Sequence, residues 1–302
     1  MISMETIRIK DIDLCYEIFG EGNSRNLILI SGLGSQMIRW DRKFCDLLVE
    51  KGFRVIRFDN RDTGGTVYNT KNDIPSDKGI EEIFAALSKE GIPYSLMDMA
   101  NDVIGLLDYL SIEKAHIVGR SMGGIIAQLL GSFYPERVLS LTIIMSTSLN
   151  LALPKPDSDI MAMMMKPSGD PVLHREEYFR DKIHFAEKIS GSGYHFDADQ
   201  EVILIEEELI RSKTKNGIIR QLLAMGSFRY DPEMLKKITA PSLVIHGADD
   251  LIFHPECGKD IADSIPDAEF VLIEGMGHSI PEELHNTISE IIVCHINKKL
   301  PY

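Results

Sequence analysis

The sequence predicts an α/β fold: a mostly parallel eight-stranded sheet flanked by helices, with a helical cap inserted after the sixth strand. Short apolar runs alternate with helix-like patterns over residues 26–148, and strands that alternate with helices favour a parallel sheet. The alternation stops over residues 149–237, where only helical patterns follow one another, and then resumes. We therefore predict a core domain made of residues 1–148 and 238–302, with residues 149–237 as the cap.

The chain begins with predicted strands. Residues 5–10 and 12–19 alternate apolar and polar side chains on either side of a short acidic turn, as two antiparallel strands would. Residues 26–31 form an unbroken apolar run, which is typical of a strand buried on both faces. A helix is predicted at 38–51 and a fourth strand at 53–58.

Residues 60–94 are rich in Gly, Asp, Asn and Lys and predict a long connection with a short helix at 80–88. The core then continues with a helix at 95–110, a strand at 115–119, a helix at 122–133 and a strand at 139–145. The helices predicted in the insertion are 158–165, 175–189, 199–212 and 217–225. The core resumes with a strand at 242–246, a helix at 256–264, a strand at 270–274 and a closing helix at 281–297.

Composition excludes several classes of function. The 32 Lys and Arg residues against 46 Asp and Glu give a net charge of −14, so the basic surface that nucleic acid requires is missing. No apolar stretch reaches the roughly 20 residues of a membrane span. The cysteines are scattered without a CxxC pair, which favours reduced thiols and a cytoplasmic protein; they are Cys15, Cys45, Cys257 and Cys294. A small-molecule substrate is expected, and the oligomeric state, a homo-oligomer included, stays open.

A candidate nucleophile follows the fifth predicted strand. The sequence Gly119-Arg120-Ser121-Met122-Gly123 matches the pattern G-x-S-x-G between a strand and a helix. A sharp turn must lift the serine above the sheet, and flanking glycines avoid the clashes that larger residues would cause. The alternative is a glycine-rich turn that holds a phosphate. Arg120 either faces the substrate or ties down a neighbouring loop, and we favour the second.

The general base that a serine nucleophile needs is expected at His278. This histidine lies in a loop after the last strand and before the last helix, at the sheet edge that also carries Ser121. His116 and His246 lie inside predicted strands, where a structural role is expected. The third member should be a buried carboxylate that orients the imidazole, and the seventh strand is followed by Asp249 and Asp250. Spacing alone leaves both aspartates open.

Serine, acid and histidine occur in that chain order, each after a strand, and in this the sequence resembles the α/β-hydrolase fold superfamily, in its serine hydrolase branch with a helical cap. The resemblance covers nearly the whole chain. In that family the acid commonly stands three residues beyond the glycine of an H-G-x-x-D element, which here is Asp250. The R-D-T-G, G-x-S-M-G and G-M-G-H segments and the extent of the cap are similar to those of aclacinomycin methylesterases.

The resemblance also implies an oxyanion hole formed by two backbone N–H groups. One belongs to Met122, and the other to Leu33 in the segment Ser31-Gly32-Leu33-Gly34, where the family's usual histidine is replaced by Ser31. Gly32 and Gly34 are expected to border the substrate pocket. The segment at 59–66 is similar to the family's D-x-R-G-x-G-x-S element, and its aspartate and arginine are expected to pin a loop near the site.

The implied reaction is the hydrolysis of a carboxylic ester through an acyl-enzyme, with no metal or organic cofactor. C–C bond hydrolysis or acyl transfer on the same triad, a proline iminopeptidase-like activity, and a non-catalytic binding protein remain alternatives. The iminopeptidases usually carry tryptophan where this chain has Met122, which counts against them. Among 14 methionines, several cluster in the predicted cap, and we expect Met163 and Met164 to line an adaptable apolar pocket or to pack the cap. A bulky or apolar ester is therefore the expected substrate.

Overall fold

The computed structural model describes residues 4–68, 91–166, 169–214 and 217–299. Within these ranges, nine strands form one sheet: β1 (Glu5–Ile9), β2 (Ile12–Phe19), β3 (Arg25–Ile30), β4 (Phe53–Phe58), β5 (Val67–Tyr68), β6 (Ala115–Arg120), β7 (Val138–Ile144), β8 (Ser242–Gly247) and β9 (Glu269–Ile273). Their order is β1-β2-β4-β3-β6-β7-β8-β9, with β5 paired to β2. The sheet is parallel from β4 to β9, while β2 pairs antiparallel with β1, β4 and β5.

The helices in the same ranges are α1 (Arg42–Glu50), α2 (Leu96–Tyr109), α3 (Met122–Phe133), α4 (Ser158–Met165), α5 (Arg175–Ile189), α6 (Ala198–Arg211), α7 (Gly217–Ser227), α8 (Pro232–Lys236), α9 (Pro255–Ser264) and α10 (His285–Lys299). Single 3₁₀ turns occupy Met37–Arg39, Pro135–Arg137 and Glu282–Leu284.

Apolar cores cover both faces of the sheet. Successive side chains of a strand point to opposite faces, so Ile28 and Ile30 of β3 join one core with α2 and α3, while Leu27 and Leu29 join the other with α1 and α10. All four side chains are fully buried. This two-sided burial explains why β3 is an unbroken apolar run in the sequence.

The predicted fold is confirmed, with differences in detail. The ninth strand, β5, lies within the predicted long connection and pairs Tyr68 with Ile12. The helix predicted at 38–51 is divided, because Asp41 accepts a hydrogen bond from Lys43 N (2.6 Å) and caps α1 there. The short helix α8 was not predicted, and the helix predicted at 80–88 lies outside the described residues.

Residues 149–237 contain helices and turns but no strand, as far as this segment is described. Buried ion pairs hold part of it against the core: Arg211 of α6 pairs with Asp59 (2.8 Å), and Arg220 of α7 pairs with Asp62 (2.7 Å). Both aspartates lie in the loop after β4. Helices α6 and α7 are thereby docked on the edge of the sheet where the parallel strands end.

The register of the sheet brings four connections to this edge. Ile30 of β3 lies beside Gly119 of β6, so the loop after β3 adjoins the turn after β6. Gly247 of β8 lies beside Ile273 of β9, so the loops that follow these two strands are neighbours. In the described part of the chain, no helix combines the length and apolar character needed to cross a membrane.

Candidate active site

Ser121 occupies a strained turn between β6 and α3. Its backbone has φ 53° and ψ −124°, a conformation that residues other than glycine rarely adopt. A Cβ at Gly119 would lie 2.1 Å from the carbonyl oxygen of Gly123, and one at Gly123 would lie 2.2 Å from that of Ile30. Glycine is therefore required on both sides of the serine, as the sequence pattern predicts.

His278 connects Ser121 to Asp250. Its Nε2 lies 3.0 Å from Ser121 Oγ, and its Nδ1 lies 2.7 Å from Asp250 Oδ2. An ionised carboxylate can only accept, so Nδ1 carries the proton and Nε2 is left to accept the serine hydroxyl proton. The three side chains thus form one hydrogen-bonded series with the order of groups that nucleophilic catalysis by serine requires.

Asp250 is held by its own loop and by a second histidine. Its Oδ1 accepts hydrogen bonds from Ile252 N (2.8 Å) and Phe253 N (2.9 Å), and Oδ2 lies 3.4 Å from His246 Nε2. Burial raises the pKa of this carboxyl, but the charge and hydrogen bonds of His278 and His246 outweigh burial and hold the pKa well below its ordinary value. Asp250 is therefore ionised across the neutral range.

The position of His246 inside a strand predicts only a structural role for it. It is fully buried, its Nε2 lies 2.7 Å from the carbonyl oxygen of Phe253, and the same nitrogen approaches Asp250. A carbonyl can only accept, so Nε2 carries the proton. The predicted structural role thus includes support of the candidate acid, and the H-G-x-x-D spacing is the signal that could have indicated it.

Asp249 points elsewhere. Its Oδ2 accepts hydrogen bonds from Ser192 N (2.9 Å) and Ser192 Oγ (2.5 Å), in the turn that follows α5. The structure brings Asp250, and not Asp249, against His278. Sequence spacing does not distinguish the two aspartates, whereas the conformation of the loop does.

The loop 31–34 lies against the nucleophile. A Cβ at Gly32 would be 3.0 Å from Ser121 Cβ, so any larger residue here would press on the serine. Neither Leu33 N nor Met122 N donates a hydrogen bond to another described residue. Met122 starts α3, and the first N–H groups of a helix have no partner within it. These are the two amides expected to form the oxyanion hole.

Gln221 of α7 supports that loop and was not found from the sequence. Its side chain is fully buried; Oε1 accepts from Gly34 N (2.7 Å), and Nε2 donates to Arg61 O (2.6 Å) and Thr63 Oγ1 (2.7 Å). Gly34 itself has φ 62° and lies against Ile218 of the same helix. One amide side chain therefore joins α7 to two core loops.

Arg120 ties down a neighbouring loop. Its guanidinium donates to Ser35 Oγ (2.9 Å) and lies 4.9 Å above the ring of Trp40. Burial, with the nearby charge of Arg39, lowers its pKa to about 9. These contacts agree with the interpretation favoured from the sequence.

The segment 59–66 forms a dense polar network. Asp59 accepts from Met37 N (2.6 Å), Gly65 N (2.9 Å) and Arg211 Nη2 (2.8 Å). Arg61 pairs with the buried Asp102 and with Asp11. Its guanidinium is engaged by carboxylates, which fits the predicted structural role.

Two residues predicted to line the pocket lie on a helix of the insertion. Met163 and Met164 lie on α4 and are half-buried.

A surface cavity of about 320 Å³ lies on the side of β9 and α10, lined by residues that include Glu269 and His295, and none of its lining residues belongs to the site described above. The described residues contain no group of three or more His, Cys, Asp or Glu side chains arranged to hold a metal ion.

Comparison with known proteins agrees with this architecture. The rhodomycin D methylesterase DauP of Streptomyces sp. strain C5 is 28% identical over 309 residues, covering 94% of this chain and 95% of the relative. An enol-lactonase from Burkholderia xenovorans LB400 superposes with a TM-score of 0.70 at 22% identity, covering 97% of this chain and all of that one. A meta-cleavage product hydrolase from Pseudomonas fluorescens IP01 superposes with a TM-score of 0.73 at 20% identity, covering 99% and 98%. The family model described as the α/β hydrolase fold matches residues 25–283. The chain therefore belongs to the α/β hydrolase fold family.

Proposed function

We propose that this protein is a serine hydrolase that cleaves a carboxylic ester of a bulky or apolar small molecule through an acyl-enzyme intermediate. The observation that carries the proposal is the hydrogen-bonded series Ser121–His278–Asp250 beside two backbone amides without partners among the described residues. Membership of the family and the similarity to a methylesterase favour an ester as the substrate.

Acylation begins when His278 Nε2 takes the hydroxyl proton of Ser121 and Oγ attacks the ester carbonyl carbon. The carbonyl oxygen becomes an oxyanion, which the N–H groups of Leu33 and Met122 stabilise by roughly 3–4 kcal/mol for each donor. The tetrahedral intermediate collapses, and His278 gives its proton to the departing alkoxide. The alcohol leaves and the acyl group stays on Ser121.

Deacylation repeats these steps with water. His278 Nε2 takes a proton from a water molecule, whose oxygen attacks the acyl carbon, and the same two amides stabilise the second oxyanion. Collapse returns the proton to Ser121 Oγ and releases the carboxylic acid. Asp250 remains ionised throughout and stabilises the positive form of His278.

We further propose that residues 149–237 form a cap over this site and set its specificity. The docking of α6 and α7 on the loops after β3 and β4 supports this arrangement, and Met163 and Met164 of α4 are proposed to line the acyl or alcohol pocket. Cytoplasmic localisation stays a prediction, on the pattern of four free cysteines.

The test is the hydrolysis of short p-nitrophenyl esters and of a panel of methyl esters that differ in acyl size. Ser121→Ala should abolish turnover, because the proposed acyl-enzyme forms on Ser121 Oγ. Ser227→Ala is the control, since its hydroxyl donates to Ala224 O in its own helix. A fluorophosphonate probe should label the wild-type protein at Ser121. Equal turnover by wild type and Ser121→Ala would contradict the proposal.

A further inference from the structure

The turn at residues 189–193, which ends α5 in the proposed cap, pairs with the backbone that carries His278. His278 N donates to Ile189 O (2.6 Å), Gly277 N donates to Ser190 O (3.0 Å), and Gly193 N donates to Gly275 O (2.9 Å). These bonds join the 189–193 turn to residues 275–278, which we call the histidine loop. The amide of the candidate base is thus held by a carbonyl of the helical insertion.

The two segments approach too closely for side chains. A Cβ at Gly191, which has φ 94°, would lie 2.4 Å from both Gly275 O and Gly277 N. A Cβ at Gly193 would lie 2.7 Å from Gly275 Cα. Real Cβ atoms do not approach backbone atoms this closely, so the contact depends on these glycines.

A third set of contacts fixes the turn to the loop after β8. Asp249 Oδ2 accepts from both the amide and the hydroxyl of Ser192, and Asp249 N donates to Met276 O (2.9 Å) in the histidine loop. The two neighbouring aspartates therefore contact different parts of the site. Asp250 binds the imidazole ring of His278, and Asp249 binds the turn that hydrogen-bonds to the backbone of His278.

We propose that the 189–193 turn positions His278, with Ser192, Gly191 and Asp249 as positioning residues. The proposal rests on the proposed catalytic role of His278. Because the turn belongs to the helical insertion, docking of the insertion on the core also places the His278 ring beside Ser121. A substrate that displaces α5 would also move His278 away from Ser121.

The first test compares two serines of the same turn. Ser192→Ala removes the hydroxyl bonded to Asp249, whereas Ser190→Ala removes one that donates to Glu187 O within the end of α5. We expect Ser192→Ala to lower kcat about fivefold through loss of one charge-assisted hydrogen bond, with KM unchanged, and Ser190→Ala to retain wild-type kcat. Ser192→Thr, which keeps the hydroxyl, should restore kcat.

Asp249→Ala removes both bonds to Ser192 and should lower kcat further. Adding Ser192→Ala to it should cause no additional loss, because the two residues share one interaction. Amide hydrogen exchange in a peptide that spans residues 274–280 should be faster in Ser192→Ala and in Asp249→Ala than in wild type or Ser190→Ala.

The second test uses the glycine contact. Gly191→Ala should lower kcat more than tenfold, on the order of the effect of a small misplacement of a catalytic group. Gly52→Ala is the matched control, since Gly52 has a similar φ of 88° but no atom within 4 Å of the added Cβ. If Gly191→Ala does not fold, the serine variants still decide the question.

Equal kcat values for Ser192→Ala and Ser190→Ala would overturn the positioning role, as would a loss of kcat without faster exchange in the histidine loop. These results are read against the wild-type and Ser121→Ala controls. If Ser121→Ala is as active as wild type, the proposed function itself is wrong. If Ser121 is required and the paired serine variants are equal, only the positioning role is wrong.

Discussion

Replacing Gln221 by alanine should weaken both the fold and the reaction. The substitution removes three hydrogen bonds of 2.6–2.7 Å, to Gly34 N, Arg61 O and Thr63 Oγ1, from a fully buried site. At about 1 kcal/mol for each bond, the free energy of unfolding should fall by about 3 kcal/mol. Since Gly34 directly follows Leu33, the amide expected in the oxyanion hole should also lose its fixed position.

A loosely held oxyanion donor stabilises the transition state less than it could, while substrate binding depends on other contacts. We therefore expect kcat to fall about tenfold, part of the full contribution of one donor, with little change in KM. The measurement is steady-state hydrolysis of a p-nitrophenyl ester, with activity normalised to the folded fraction and stability measured by urea unfolding.

The matched control is Asn23→Ala. Like Gln221, Asn23 donates two hydrogen bonds from its side-chain amide, but to Val49 O (3.1 Å) and Phe53 O (3.0 Å), at the end of α1 and the start of β4. This variant should lose stability and keep its kcat. If Gln221→Ala loses about 3 kcal/mol of stability yet retains wild-type kcat, the position of the Leu33 amide does not depend on Gln221 and the reasoning is wrong.

Two further predictions concern the acid and the pocket. The pKa of Asp250 lies below its ordinary value of 3.8 when the protein is folded, so its contribution to stability is present above that value and is lost as the pH falls below it. Asp250→Asn should therefore lose less stability than wild type in urea unfolding between about pH 5 and about pH 3; equal losses would contradict the assignment. Replacing Met163 and Met164 together by Ser should change the preference of kcat/KM for acyl chain length, since both are proposed to line the pocket; an unchanged profile would leave them as packing residues.

The fold was predictable because burial leaves a clear pattern in the sequence. Strands such as β3 are apolar on both faces, and the glycines around Ser121 mark a turn where larger residues would clash with Ile30 O or Gly123 O. The boundaries were less certain. Asp41 interrupts a continuous helical pattern because its side chain caps α1, and periodicity does not distinguish a capping aspartate from a surface one.

The candidate site was predictable only in part. Ser121 and His278 lie in the connections that follow strands, and the carboxyl ends of parallel strands meet at one edge of the sheet. Gln221 lies in a helix far away in sequence, and a single buried glutamine carries no periodic signal. Its role depends on how α7 docks, which is a tertiary contact that local patterns do not encode.

Of the contacts described above, the one between the 189–193 turn and the histidine loop is the least visible in the sequence. Its hydrogen bonds from His278 and Gly277 end on the carbonyls of Ile189 and Ser190, and a backbone acceptor places no demand on the side chain at its position. The contact instead requires space between the two backbones, and glycine leaves that space because it has no side chain. Two glycines in each of two segments, 191 and 193 against 275 and 277, are the trace that this contact leaves in the sequence. Paired glycines in an inserted segment and beside a catalytic residue are therefore a signal to seek when a cap contacts the catalytic loops.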